Sequence, residues 1–81
     1  MNIKLDAARA LTVTKPVAIT SDTIKVVSIT DLPSNKKVIA NISVGNITNN
    51  NLVLWSGSDY DAIGDWTQVQ ANNQIISLLT A

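Results

Sequence analysis

The segment KVIANISV, residues 37–44, constrains the fold of this chain more than any other stretch. Apolar side chains recur at every second position, namely at Val38, Ala40, Ile42 and Val44. Ile39 is the exception, because it is apolar on the opposite face. Since successive side chains of a β-strand point to opposite faces of its sheet, this alternation predicts a strand with one buried face.

The length of the chain limits it to one small domain. With 81 residues and a mass of 8.7 kDa, its single hydrophobic core is only marginally stable. The chain has no cysteine and therefore no disulfide, whereas its 46% of hydrophobic residues argues against disorder. Small domains of this kind often gain stability by burying surface against copies of themselves or against a partner. We therefore expect a homo-oligomer or a bound protein partner.

A second strand is predicted in TIKVVSIT, residues 23–30. Ile24 and Val26 lie on one face of this segment. Val27 and Ile29 then fall on the opposite face. This change of phase indicates either a β-bulge or burial on both faces.

The residues before this strand contain a proline. ALTVTKPVAIT, residues 10–20, alternates like a strand until it meets Pro16. Because proline lacks the N–H that a sheet ladder needs, the segment is predicted to be an edge strand or an extended arm. The predicted organisation is an N-terminal extended segment, edge strand or arm over residues 1–22. A single β-rich domain that ends in a helix follows over residues 23–81.

An asparagine-rich connection follows the strand over residues 37–44. GNITNNN, residues 45–51, is predicted to be the loop of a hairpin, because asparagine tolerates positive φ and bonds to its own backbone. LVLW, residues 52–55, would then return as the next strand, antiparallel to the one before it. Its apolar residues on both faces favour a central strand or an interface strand.

A helix is predicted at the end of the chain. Thr67 and Gln70 match a capping box, in which the two residues satisfy each other's backbone N–H groups at a helix start. An apolar stripe at helical spacing follows, formed by Val69, Ile75, Ile76, Leu78 and Leu79. The chain is therefore predicted to be an α+β protein. Its small antiparallel β-sheet or partial barrel has about three to four strands, and one C-terminal α-helix packs on it.

The acidic stretch SDYDAIGDW resembles part of a calcium-binding loop. Counted from Asp59, the third position is Asp61 and the sixth is Gly64, as such a loop requires. The fifth position, which should carry an oxygen ligand, is Ile63, and the twelfth, which should be a bidentate glutamate, is Gln70. We therefore expect no metal site and no cofactor.

The remaining composition argues against catalysis and against specific binding of nucleic acid. There is no histidine, cysteine or glutamate, so the commonest catalytic bases and nucleophiles are missing and an enzyme is not expected. The basic residues all precede residue 38, but only Lys36 and Lys37 are adjacent, whereas phosphate binding needs a cluster. No apolar run approaches the roughly 18 residues of a membrane span. The uneven distribution of charge along the chain favours either head-to-tail association of copies or only the solubility of the protein.

The aromatic residues gather in one short segment. Trp55, Tyr60 and Trp66 are suited to protein contacts, because each joins an apolar ring to a polar N–H or O–H group. Trp66 is predicted to anchor the core, Tyr60 to be exposed, and Trp55 to do either. The segment as a whole is predicted to be a hinge that packs the sheet onto the helix. The candidate interface residues are Trp55, Tyr60, Pro16, Val17, Asn49 and Asn50.

The pattern L-W-x-G-x-x-Y-D-A-I-G-x-W-T spans residues 54–67. Together with the preceding VVSI and KKV strands and the terminal amphipathic helix, it resembles that of small proteins encoded in tailed-bacteriophage genomes. The resemblance extends over residues 24–80. It implies a phage context, in which small β-rich proteins without cysteine are often components of the virion.

Two classes of function follow from this resemblance. The first is a non-enzymatic structural protein of the phage particle, either a capsid cement or decoration protein or a head–tail or tail component. Its partners would be other virion proteins, such as major capsid or tail subunits, and its location would be the virion, assembled in the host cytoplasm. The second is a host-directed binding protein or inhibitor that is absent from the virion.

Overall fold

The fold is an antiparallel sheet followed by two helices. A computed structural model describes residues 2–14 and 17–80. The elements are β1 (Asn2–Thr14), β2 (Val17–Leu32), β3 (Lys37–Val44), β4 (Ile47–Ser56), α1 (Ser58–Ile63) and α2 (Gln68–Thr80). Each strand pairs with the next one in the chain, in the order β1-β2-β3-β4. The predicted α+β fold, with a small antiparallel sheet and a C-terminal helix, is confirmed.

One face of the sheet forms the core together with α2. The alternation in β3 is complete, because each of its even-numbered residues is buried and each odd-numbered one is half-buried. Helix α2 contributes Ala71, Ile75 and Leu79, which recur at every fourth position and therefore lie on one side of the helix. The buried residues of the strands are Ile3, Leu11, Val13, Ile24, Val26, Val38, Ala40, Ile42, Val44, Leu54 and Trp55.

The sheet curls until its two edge strands approach each other. Strands β1 and β4 are in contact, and α2 contacts both of them. The Asn49 side-chain amide of β4 donates a 2.9 Å hydrogen bond to the Val13 carbonyl of β1. The Gln74 side-chain amide of α2 donates another of 2.9 Å to the Leu54 carbonyl of β4. These side-chain amides thus bond to carbonyl groups at the sheet edges. The same carbonyls are then less available for pairing with a strand from another molecule.

Strand β2 contains a β-bulge at Val27. Val26 pairs with Ile42 and Ser28 with Asn41, so one extra residue is inserted between the two pairs. The Val27 side chain is 59% exposed. Of the two explanations for the change of phase in this segment, the bulge is therefore confirmed.

The N-terminal segment is part of the sheet. Residues 2–14 form the edge strand β1, and this strand buries Ile3, Leu11 and Val13 in the core. The predicted division at residue 22 falls inside β2, because residues 17–22 already belong to that strand. Leu11 pairs with Ile19 across the two strands, and this pairing holds both parts of the segment in one hairpin. Residues 2–14 therefore do not form the extended arm that the sequence also allows. Pro16 lies outside the described residues.

The β3–β4 hairpin is tighter than its sequence predicted. Val44 pairs with Ile47, so the turn consists of Gly45 and Asn46 alone. Gly45 has a φ of 59°, as the first position of a type II′ turn requires. The predicted seven-residue loop over residues 45–51 is therefore wrong. Its last three asparagines lie in β4, because this short turn starts the returning strand early.

The capping box at the start of α2 is confirmed. The Thr67 backbone N–H donates to Gln70 Oε1 at 2.8 Å, and the Gln70 N–H donates to Thr67 Oγ1 at 3.2 Å. Val69 does not belong to the buried stripe, since its side chain is 67% exposed and Ala71 points into the core instead.

Neither helix in the described part of the chain has the length and apolar character that crossing a membrane requires.

Candidate functional site

The segment between β4 and α2, residues 57–67, covers one end of the sheet and is called the aromatic cap below. Its centre is the short helix α1, which was predicted only as a hinge. Gly57 precedes this helix and Gly64 follows it, with φ/ψ of 57°/−123° and 60°/−126°. Because this region of backbone conformation is open almost only to glycine, the two residues set the path of the chain into and out of α1.

Replacement of Gly64 by alanine is expected to destabilise the protein by about 1–3 kcal/mol, through backbone strain. A Cβ atom at Gly64 would meet no atom within 4 Å beyond its two neighbours in the chain, so no clash with another part of the fold contributes. Urea unfolding followed by circular dichroism measures the change. Ser58→Ala is the control, because Ser58 is exposed and starts α1. Equal stabilities of the two variants would contradict the role given to Gly64.

Asp31, near the end of β2, joins the aromatic cap to the sheet. The Tyr60 hydroxyl donates to Asp31 Oδ1 at 2.8 Å, and the Trp66 indole N–H donates to Asp31 Oδ2 at 3.1 Å. The Trp66 ring lies beside that of Trp55, with ring centroids 6.1 Å apart and planes tilted by 36°. The polar groups of Tyr60 and Trp66 are thus bonded within the chain. This bonding favours a structural role for both rings.

The contact with Asp31 raises the pKa of Tyr60 above its ordinary value of 10.0, chiefly because the phenol donates a hydrogen bond to a carboxylate. The folded state therefore favours the protonated phenol. The stabilisation is present below pH 10 and is lost as the pH rises through the higher pKa of the folded protein.

Asp31→Asn is therefore expected to lower the pKa of Tyr60 towards its ordinary value. The chain has one tyrosine, so a titration of absorbance at 295 nm reports this residue alone. Asp61→Asn is the control, because Asp61 is the smallest of the causes that raise the pKa. Equal shifts in the two variants would contradict the hydrogen bond between Tyr60 and Asp31.

Two open cavities lie beside the aromatic cap. The first, of about 360 Å³, is lined by Trp55, Asp59, Ala62, Ile63 and Gln74. The second, of about 250 Å³, is called the edge groove below and is lined by Val26, Val27, Ser28, Ile29, Trp66 and Gln68. In the described residues, no three acidic, histidine or cysteine side chains gather as metal ligands would. The first cavity offers one carboxylate and one amide, while the edge groove combines a strand with an indole.

Across β2, β3 and β4, the side of the sheet that faces away from α2 forms an uncharged surface between Lys25 and Lys37. The odd-numbered residues of β3 point to this side, and their cross-strand partners share it. Thr30, Ile39 and Val53 form one row across three strands, and the Val53 side chain is 36% exposed. The outer face, as it is called below, consists of Ser28, Thr30, Ile39, Asn41, Ser43, Thr48 and Val53. Lys25 and Lys37 lie at its two ends.

The predicted interface residues fall into two separate groups. Trp55 and Tyr60 lie at the capped end, where Trp55 is only 9% exposed and Tyr60 is half-buried. Val17, Asn49 and Asn50 lie at the other end. There Val17 and Asn50 are exposed, while Asn49 is half-buried and bonds to β1. The predicted residue Pro16 lies outside the described residues.

Two elements of the site were not among the predicted residues. Asp31 was given no role, although tyrosine and tryptophan usually need hydrogen-bond acceptors when they are partly buried. Val53 of the outer face was interpreted as part of a buried or interface strand. The sequence does carry a signal for this face, because Ile39 is apolar on the side that the alternation assigns to solvent.

Comparisons of the chain with protein-family models, with curated proteins and with solved structures gave no match.

Proposed function

We propose that this chain is a non-enzymatic structural protein of a tailed-phage particle and that it acts through protein–protein contacts. The observation that carries the proposal is the outer face, whose residues are all uncharged and include Ile39 and the exposed Val53. The phage context comes from the resemblance of residues 54–67. The partner is a major capsid or tail subunit, and the role is that of a cement, decoration, connector or tail component.

The composition of the outer face suits a contact that excludes water. Charged residues are depleted at the centres of protein interfaces, because removing them from water is costly. The centre of the outer face carries hydroxyl, amide and aliphatic side chains, with Lys25 and Lys37 only at its ends. This arrangement of an uncharged centre and a charged rim is typical of a protein-binding surface.

The size of the domain supports the same function. The core is formed by one side of a four-stranded sheet and a single helix, so burial of the other side would add stability to a small fold. Binding to a partner stabilises the folded state by mass action, and repeated copies on a symmetric particle would each bury this side. The outer face would then be the second buried side of the sheet.

Val53→Glu is expected to leave the chain folded and to reduce its incorporation into particles at least about tenfold, because a carboxylate at the centre of an interface is desolvated without a partner. Val69→Glu is the matched control, since Val69 is also an exposed valine but lies on α2. Particles formed in cells that express each variant are purified, and the bound chain is quantified. Equal incorporation of the two variants would exclude the outer face as the contact.

A further inference from the structure

The outer face is bounded by one lysine at each end, Lys25 and Lys37, called the outer lysines below. Lys25 of β2 pairs with Ser43, near the end of β3, whereas Lys37 is the first residue of β3. Each has a buried neighbour next to it in its strand, so both side chains lie on the side away from α2. Lys37 and Ser43 are six positions apart in one strand, which corresponds to about 20 Å. The outer lysines are therefore anchored about 20 Å apart.

The other lysines of the described residues form ion pairs within the chain. The ammonium group of Lys4 lies 2.9 Å from the carboxylate of Asp22, and that of Lys36 lies 3.4 Å from the carboxylate of Asp61. Within the described part of the chain, neither outer lysine has a carboxylate within 4 Å. The fold thus leaves one unpaired positive charge at each end of an uncharged surface.

We propose that the outer face binds a protein surface that carries two carboxylates about 20 Å apart, one against each outer lysine, with an uncharged region between them. The proposal deepens the function proposed above and rests on it for the partner's identity as another protein of the particle. Opposite charges at the rim of an interface speed association and fix the relative orientation of the two proteins. Two such contacts at a set separation therefore determine how the partner lies across the strands.

The same charges argue against a second copy of this chain on the outer face. Two sheets that pack face to face either align their strands to within about 30° or cross them at nearly a right angle. In an aligned pair of copies, each outer lysine lies opposite another lysine, whichever way the second copy runs, and this is unfavourable. In a crossed pair the outer lysines stay unpaired, because no residue of the outer face is acidic.

Crosslinking with a water-soluble carbodiimide tests the proposal in purified particles that contain the chain. The reagent joins the amine of a lysine to a carboxylate where the two groups are in contact, and mass spectrometry of the digested particles identifies the joined residues. We expect both outer lysines to be joined to aspartate or glutamate residues of one other protein. The Lys4–Asp22 and Lys36–Asp61 pairs are internal controls, which should be joined in the particle and in the isolated chain alike.

A charge reversal provides a second measurement. Purified chain is added to particles that were formed without it, and its binding is measured at low and at high salt. Lys25→Glu should weaken binding at least about tenfold at low salt, because two carboxylates then face each other, and less at high salt. Arg9→Glu is the matched control, since it changes the net charge equally. Arg9 is exposed but lies two positions before the buried Leu11, and therefore on the other side of the sheet.

Three results would overturn the proposal while the chain remains a protein of the particle. The first is crosslinking of the outer lysines to a second copy of the chain. The second is a particle in which the internal controls are joined and the outer lysines are not. The third is equal binding of the Lys25→Glu and Arg9→Glu variants. Absence of the chain from particles is a different outcome, because it would overturn the proposed function and this proposal with it.

Discussion

Deletion of residues 1–14 is expected to unfold the chain. The deletion removes Ile3, Leu11 and Val13, which are buried between the sheet and α2. Burial of each such side chain contributes roughly 1.5–3 kcal/mol. The core of a domain of this size rarely supplies more than about 3–5 kcal/mol of net stability. The folding free energy lost with these three side chains therefore exceeds the net stability of the domain. In addition, residues 17–25 of β2 would lose the strand that pairs with them.

Circular dichroism and the dispersion of amide signals measure the result in the truncated chain. Two single substitutions on β1 provide a finer comparison at full length. Leu11→Ala should cost about 2–5 kcal/mol, because Leu11 is fully buried. Thr14→Ala should cost no more than about 0.5 kcal/mol, because Thr14 is exposed. A truncated chain that stays folded would show that the N-terminal residues are an arm, as their sequence also allows.

Replacement of Trp55 by alanine is expected to cost about 3–5 kcal/mol of folding stability. Trp55 is paired with Val38 in the ladder and belongs to the buried core, and its ring lies beside that of Trp66. It is thus the residue through which the aromatic cap contacts the sheet interior. Its loss would enlarge the cavity of about 360 Å³ that the ring already lines, and the neighbouring side chains would collapse only in part.

A double-mutant cycle separates the contact between the two indoles from the burial of Trp55. Trp55→Ala, Trp66→Ala and the double variant are unfolded with urea and followed by circular dichroism. The coupling between the two rings should be about 0.5–1.5 kcal/mol, as for other aromatic pairs. Trp55→Phe is the conservative control and should retain most of the stability. A cost below about 1 kcal/mol for Trp55→Ala would show that the cap is not anchored through this residue.

The elements that the sequence predicts correctly are those with local physical causes. Strand β3 has its predicted bounds, because the alternation of four buried residues admits a single register against the core. Helix α2 begins after Thr67, because the capping box closes through neighbours three residues apart. The bulge at Val27 was one of two explanations for the change of phase, and the choice between them depended on the pairing with β3.

The elements that the sequence does not predict depend on contacts between distant parts of the chain. Asn49 lies in a strand in spite of its low β-propensity, because the turn at Gly45 starts β4 early and its amide then bonds to the Val13 carbonyl. Helix α1 has no side-chain cap and is defined by two glycines whose unusual conformation only the fold reveals. Asp31 is separated from Tyr60 by 29 positions and from Trp66 by 35, so no local pattern joins them.

The segment LWSGSDYDAIGDW thus consists of the end of β4 and most of the aromatic cap. Its tyrosine and second tryptophan are bonded to Asp31, and its first tryptophan is buried. That this segment packs the sheet onto the helix stays a prediction. The surface that we propose for a partner is the outer face.

Quantitative mass spectrometry of purified particles, from the phage that is proposed to encode this chain, tests the proposed function most directly. If the chain is a structural protein of the particle, we expect a fixed number of copies per particle. Hundreds of copies would identify a capsid cement or a major tail component, and a ring number would identify a connector or a baseplate part. Absence of the chain from purified particles would contradict the structural role and would favour a protein that binds a host target.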